Sequence, residues 1–237
     1  MNVLAFDTCL SACSVAVLSA VHDAVARAGE PAITARRQEM ARGHAEALMP
    51  MIDEAMSESG LAYTDLDRMA VTVGPGTFTG VRIGIAAARG LALAIGCPVV
   101  SLTSFAALAC ATQNIHNVPG ALAVCIDARR EEVYIQVLSG PDTPLSEPKA
   151  LSIDEAARLH QDLALTAVGS AAQRLVEAGA RQGREIRLSD APDMPNAAAF
   201  IKHAASLTPS ATPPSPLYLR AADAKPQIGK SLPRADR

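Results

Sequence analysis

The chain has 237 residues, 49% of them hydrophobic and 19% charged, with a formal net charge of -3 and a pI near 6.0. That length fits one large domain or two small ones packed together, and an apolar fraction near half supports a buried core. The balance holds no excess of lysine and arginine, which argues against an autonomous grip on nucleic-acid phosphates.

The opening "MNVLAFDTCL" has no basic segment ahead of a long apolar core, and no stretch approaches the roughly 20 apolar residues that span a bilayer. A cytoplasmic chain without membrane contact is the expectation. Cys9, Cys13, Cys97, Cys110 and Cys125 form no C-x-x-C pair and no cluster with histidine, so we expect buried thiols rather than a disulfide framework.

Two short β-rich runs, "NVLAFDT" and "CSVAVLS", come first, and "PAITARRQ" is read as a third strand. From Gly43 the pattern turns helical in "HAEALMPMIDEAMSES". Leu48, Met49, Ile52, Ala55 and Met56 fall on one broad face with Glu46, Asp53 and Ser57 opposite, and Gly60 ends the helix. Next are the strand "RMAVTVG", the loop "GPGTFTG", a helix from about Gly80 to Ile95, the strand "PVVSLT" and a short helix "SFAALACAT". The second half repeats this order: strands "ALAVCIDA", "EVYIQVLS" and "KALSI", helix "DEAARLHQDL", strand "TAVGS", helix "AAQRLVEAGA", strand "EIRLS" and helix "NAAAFIKHAASL". An aspartate closes the first strand of each half, Asp7 and Asp127. Two tandem α/β units account for the order, an N-terminal lobe over residues 1–103 and a C-terminal lobe over 104–220. Residues 221–237, poor in periodic apolar content, read as a mobile tail, while "PLYLR" just before them has the composition to pack locally.

The glycine loop invites a phosphate. Gly74 and Gly76 allow close backbone approach, Thr77 and Thr79 offer hydroxyls, and a helix N-terminus comes directly after them. Yet Gly80-Val81 stands where a Walker loop has Lys-Ser/Thr, and the dinucleotide G-x-G-x-x-G spacing is missed. There is no G-x-S-x-G and no H-E-x-x-H, and His22, His44, His116, His160 and His203 lack metal-ligand spacing. "IDARREEVY" reads by residue type as a charged turn between two strands.

Taken together and in order, "LAFDTCLSACSVAVLS", "RGHAEALMPMID", "VTVGPGTFTGVRIGIAAARGLALA", "SLTSFAALA", "IDARREEVY" and "PLYLR" resemble the TsaB (formerly YeaZ) family of the bacterial tRNA threonylcarbamoyladenosine system, as far as about Arg220. The resemblance implies an α/β fold of the actin-like, Hsp70-like and sugar-kinase (ASKHA) type, with two duplicated βββαβαβα lobes. In the related catalytic family TsaD the strand-to-helix junction after the second long helix carries two metal-binding histidines four residues apart, and "SLTSFAALA" has none. The resemblance therefore implies a non-catalytic paralogue with no metal site and no tightly bound cofactor, ATP and metal being expected on partner subunits. The partners it implies are TsaD, in a heterodimer, and TsaE as ATPase. It further implies a homodimer when TsaD is missing, and tRNA reached only through the complex. Asp7, Thr8, Gly74, Pro75 and Gly76 would form a vestigial nucleotide cleft. A rival reading, an autonomous ATP-dependent enzyme of the sugar-kinase superfamily, sets the same residues around phosphates. Asp127, Arg129 and Arg130 of the charged hairpin are expected at the interlobe cleft or against a partner.

Wound at 100 degrees per residue, the helix from Gly80 to Ile95 sets Arg82 and Arg89 on one narrow polar stripe. The rest is small or apolar, more surface than one sheet face covers. We expect its excess to be partner surface, shared with the preceding helix: Met49, Ile52 and Met56 with Val81, Arg82, Ile85, Ala88 and Arg89, with Ile85 facing outward.

Overall fold

Two sheets built to one plan organise the chain, and the computed structural model describes residues 1–20, 31–115 and 120–220 of it. In the first, β1 (Val3–Asp7) and β2 (Ala12–Ser19) pair antiparallel, and β3 (Ala32–Glu39) adds antiparallel to β2. After α1 (His44–Ser59), β4 (Arg68–Thr72) joins β1 in parallel; after α2 (Phe78–Ile95), β5 (Val99–Leu102) joins β4 in parallel. The spatial order is β3-β2-β1-β4-β5, and α3 (Ser104–Ile115) leads out of the lobe.

The second sheet repeats this element for element. β6 (Ala121–Asp127) and β7 (Glu132–Gly140) pair antiparallel, a two-residue β8 (Thr143–Pro144) flanks β7, and β9 (Lys149–Ser152) pairs antiparallel with β7. Following α4 (Ile153–Ala156), β10 (Leu165–Val168) runs parallel to β6; past α5 (Ala172–Arg181), β11 (Arg187–Leu188) runs parallel to β10, and α6 (Ala197–Ser206) ends the repeat. The duplicated βββαβαβα plan read from the sequence is therefore the architecture, with β8 as an addition.

Burial explains the strand patterns. All five residues of β1 and all eight of β2 are buried, because helices cover both faces of this sheet. On one face, Leu48, Ile52 and Met56 of α1 and Val81, Ile85 and Ala88 of α2 share a core with Leu4, Phe6, Met69 and Val71. On the other, α3 and α6 pack through Ala107, Phe200 and Ile201 against Val3, Ala5 and Ala70. The last helix of the second repeat thus lies on the first sheet. α3 also reaches the second sheet, where Phe105 and Leu108 share a core with Leu122, Val124 and Ile126.

Three sequence expectations need correction. The helix expected over "DEAARLHQDL" stops at Ala156, because the carbonyls of Ala157, Leu159, His160 and Leu163 turn toward the Arg184 guanidinium instead of continuing a helical ladder, and His160 sits at φ 48. α2 starts at Phe78, two residues earlier than expected, since Thr77 is its cap and accepts from Gly80 N at 3.1 Å. At 18 residues α2 is also long and apolar enough, by length and composition, to cross a membrane, contrary to the expectation that no stretch comes close. Its Val81, Ile85 and Ala88 nevertheless lie in the protein core. The expected tail, residues 221–237, lies outside the described residues, as do His22 and His116.

Candidate functional site

The glycine loop meets the β1–β2 turn rather than open space. A Cβ on Gly80 would sit 2.0 Å from Thr8 O and one on Gly76 would sit 2.3 Å from Cys9 O, so both glycines exist for backbone approach. Gly74 adopts φ 99, and its carbonyl accepts from Ser104 N at 2.7 Å. Thr77 N donates to Cys9 O at 2.7 Å, and the Thr8 hydroxyl donates to Gly80 O at 2.7 Å. The Thr77 amide and the Thr8 and Thr77 hydroxyls are thus bonded to the chain itself.

Asp7 closes the inner end of this contact. It is fully buried; Oδ1 accepts from the Thr72 hydroxyl and from Cys9 N at 3.3 Å, while Oδ2 has no partner. Desolvation pushes its carboxyl up to about 6, the two hydrogen bonds opposing that rise. Asp7, Thr8, Gly74, Pro75 and Gly76 are brought together as the sequence reading required, but all save half-buried Gly76 are buried. Nearby Ser104 is buried with an unpartnered Oγ, and Cys9 Sγ donates to Thr72 Oγ1 at 3.2 Å. Burial raises the Cys9 thiol far above its ordinary range and Cys125 to about 12, and all five cysteines are free and buried. Among the described residues no three metal-ligating side chains converge.

A cleft of about 900 Å³ opens outside this contact, between the lobes, lined by the first turns of α1 and α2, the β6–β7 turn and residues of the 217–220 segment. Arg129 lines it, and Asp127 holds the turn by accepting from Arg129 N at 3.2 Å and Arg174 Nη1 at 3.1 Å. Arg129, Arg130 and Glu131 all have positive φ (60, 54 and 65), a left-handed run that non-glycine residues adopt at a cost of roughly 1–2 kcal/mol each. Across the cleft, Phe78 and Tyr218 stack at 5.5 Å, Arg82 lies 3.6 Å over the Phe78 ring, and Arg82 Nε donates to Tyr218 Oη at 3.0 Å. Arg220 donates to Ala128 O at 3.2 Å and pairs with Glu132. His44 is buried at the mouth of α1, its Nε2 2.9 Å from Leu10 O. Phe78, Tyr218, Arg42 and Arg220 were missed as site residues, although "PLYLR" carried the only signal, an aromatic and an arginine in a proline-rich stretch.

The faces of α1 and α2 reverse part of the sequence assignment. Ile85 is 5% exposed, and Ile52, Met56, Val81 and Ala88 are buried beside it against β1 and β4. They face the chain's own sheet, not a partner. Met49, Arg82 and Arg89 are exposed as expected, and the open stripe of α2 continues through Ala86, Gly90 and Leu93, the last 89% exposed. An apolar count around the wheel fixed how much surface exceeded one face but not which face the sheet would take.

Comparison with known proteins bears on this geometry. The family model of TsaD, tRNA N6-adenosine threonylcarbamoyltransferase, matches residues 36–206. A tRNA threonylcarbamoyladenosine biosynthesis protein TsaB from Haemophilus influenzae is 39% identical over 134 residues, 56% of this chain and 52% of that protein; the TsaB of Escherichia coli is 35% identical over 56% of this chain and 53% of its own. The chain spans about half the length of these curated relatives. The solved structure of YeaZ from Pseudomonas aeruginosa superposes with a TM-score of 0.70 at 29% identity, covering 86% of this chain and 90% of that one. With the family model matching well over half its length and the duplicated α/β lobes in place, this chain belongs to the TsaD threonylcarbamoyltransferase family, in its TsaB (YeaZ) branch.

Proposed function

We propose that this chain is a non-catalytic scaffold and activator in bacterial tRNA N6-threonylcarbamoyladenosine synthesis, binding a TsaD-type transferase through the exposed faces of α1 and α2. TsaE acts as the ATPase of that assembly, and the transferred group reaches the adenosine beside the anticodon through it. ATP and metal are held by the partner subunits, tRNA is met only within the complex, and the compartment is the cytoplasm. Without the transferase the same stripe closes a homodimer, so the two assemblies compete.

The observation carrying this reading is the stripe Arg82, Ala86, Arg89, Gly90 and Leu93, which an 18-residue helix leaves uncovered, with Met49 exposed on α1. Leu93 at 89% exposure and a glycine with nothing within 4 Å of its would-be Cβ suit a closely approaching helix better than water. The test is Leu93→Asp, with circular dichroism for folding and analytical ultracentrifugation for association. We expect a folded monomer that no longer binds the transferase. Unchanged binding by a folded variant places the interface elsewhere. Equilibrium dialysis with ATP and magnesium, with and without the transferase, separates this reading from the kinase one: saturable binding and turnover by the isolated chain would defeat the scaffold.

A further inference from the structure

The interlobe cleft holds a charge arrangement that the fold does not need. Arg42, before α1, and Arg129, in the β6–β7 turn, are exposed and line the cleft, and among the described residues neither guanidinium has a partner. Arg82 adds a third positive charge, placed over Phe78. Of the acids nearby, Asp127 and Glu131 both pair with Arg174, at 3.1 and 4.0 Å, and Glu132 with Arg220, leaving Glu46 on the lining. Between these cations stand Phe78 and Tyr218, stacked and 49% and 46% exposed. A chain with net charge -3 thus sets Arg42, Arg82 and Arg129 around one aromatic-lined cleft.

We propose that this cleft receives an extended segment of a partner protein bearing two or more carboxylates beside an aromatic side chain. Guanidinium forks match carboxylates, and arginine and tyrosine are the side chains enriched at interface centres. A phosphate ligand suits the site less, because the Thr77 amide is already bonded to Cys9 O, the Thr77 hydroxyl to Gly80 N and the Thr8 hydroxyl to Gly80 O. The chain's own residues 221–237 are unsuited too: Lys225, Lys230, Arg234 and Arg237 outnumber Asp223 and Asp236. The occupant belongs to another protein. The inference rests on the proposed association, for Arg82 lies on the exposed stripe of α2 and at the cleft alike. The segment then enters the cleft from the partner seated on that stripe.

Two titrations separate the cleft from the association itself. In the first, the isolated chain meets three fluorescein-labelled probes: a peptide alternating glutamate and phenylalanine, its lysine-phenylalanine counterpart, and a single-stranded RNA oligonucleotide. Wild type should bind the acidic peptide in a salt-dependent way, and Arg42→Glu/Arg129→Glu should weaken it about tenfold. Both side chains are exposed, so folding is kept; Tyr218→Ala, a second route, should weaken the same peptide and not the lysine one. No acidic-peptide binding, equal binding by the variants, or RNA outcompeting the peptide overturns the proposal, the last making the cleft a nucleic-acid site. In the second, a TsaD-type subunit is titrated with wild type and the double variant. Complete failure of wild type to bind sinks the proposed function, while the peptide series still judges the cleft. Binding unaffected by the double variant sinks the cleft while sparing the function.

Discussion

At Asp7 a single side chain sets a pH dependence. Its carboxyl is raised from an ordinary 3.8 to about 6, with burial the dominant cause. A folded-state value above the unfolded one means the native state binds more protons within that window, so stability falls as pH rises through it. Above about pH 6 the ionised carboxylate, with Oδ2 unpartnered, costs on the order of 2–3 kcal/mol. Asp7→Asn keeps the Oδ1 acceptor and cannot ionise. We expect urea unfolding of the variant to lack the decline that wild type shows between about pH 4 and 6, and identical slopes would show that Asp7 is solvated. The glycines give a paired contrast at the same scale. Gly80→Ala forces a Cβ to 2.0 Å from Thr8 O and should destabilise by about 2–4 kcal/mol, whereas Gly90→Ala meets nothing within 4 Å and should stabilise the free chain by up to ~1 kcal/mol. Chemical denaturation of the two variants checks both signs at once.

At the scale of the element, α2 shows how far a helical wheel carries. Its composition told that sheet and solvent together must share more apolar surface than one face, and 18 residues with five buried positions agree. Which stripe turned inward depended on where the glycines meet the β1–β2 turn: Gly80 and Gly84 pack on Thr8, and this rolls Val81, Ile85 and Ala88 into the core. Ile85→Glu should therefore destabilise the free chain by several kcal/mol, since it buries an unpaired charge. Leu93→Asp on the opposite side should leave thermal stability within about 0.5 kcal/mol. Thermal melts of both variants decide it, and a stable Ile85→Glu chain would restore the outward assignment.

At the scale of the whole molecule, the two repeats are interlocked rather than strung together. α6 crosses to the first sheet, with Phe200 and Ile201 fully buried there; Ala197 N donates to Ser14 Oγ at 3.1 Å. Arg68, on β4, donates to the carbonyls of Ala204, Ala205 and Leu207 and so caps the end of α6. His203 Nε2 lies 3.0 Å from Asp142 Oδ1 of the second lobe, tying the same helix to both. Unfolding should be one cooperative transition, with calorimetric and van't Hoff enthalpies equal. Arg68→Ala removes the guanidinium donor from three carbonyls, of which Ala204 O keeps Leu207 N, and should lower stability by about 2–3 kcal/mol. Two resolved transitions in the wild-type protein would mean that the lobes fold separately.

Element order and type were legible because each strand and helix carries its own period: alternating or fully apolar runs for strands, a 3.6-residue repeat for α1 and α2, and glycines at their ends. The paired aspartates Asp7 and Asp127 marked the repeat, since both halves end their first strand alike. The cleft was legible only in part: the charged hairpin was expected there or against a partner, and Asp127 and Arg129 do line it, but its other walls were not. Phe78 and Tyr218 are 140 positions apart in the chain, Arg42 and Arg129 belong to different lobes, and no local pattern records that packing unites them. Nor does local sequence tell that the Cys9 and Thr8 carbonyls occupy the space beside the glycine loop that a ligand would need. The sequence by itself determined the duplicated α/β plan and the surplus apolar surface of α2, because both are set by short-range periodicity and composition. Only the tertiary structure decided which side of that helix is open, what fills the glycine loop, and where the charges converge, because each depends on contacts between residues that the chain keeps far apart.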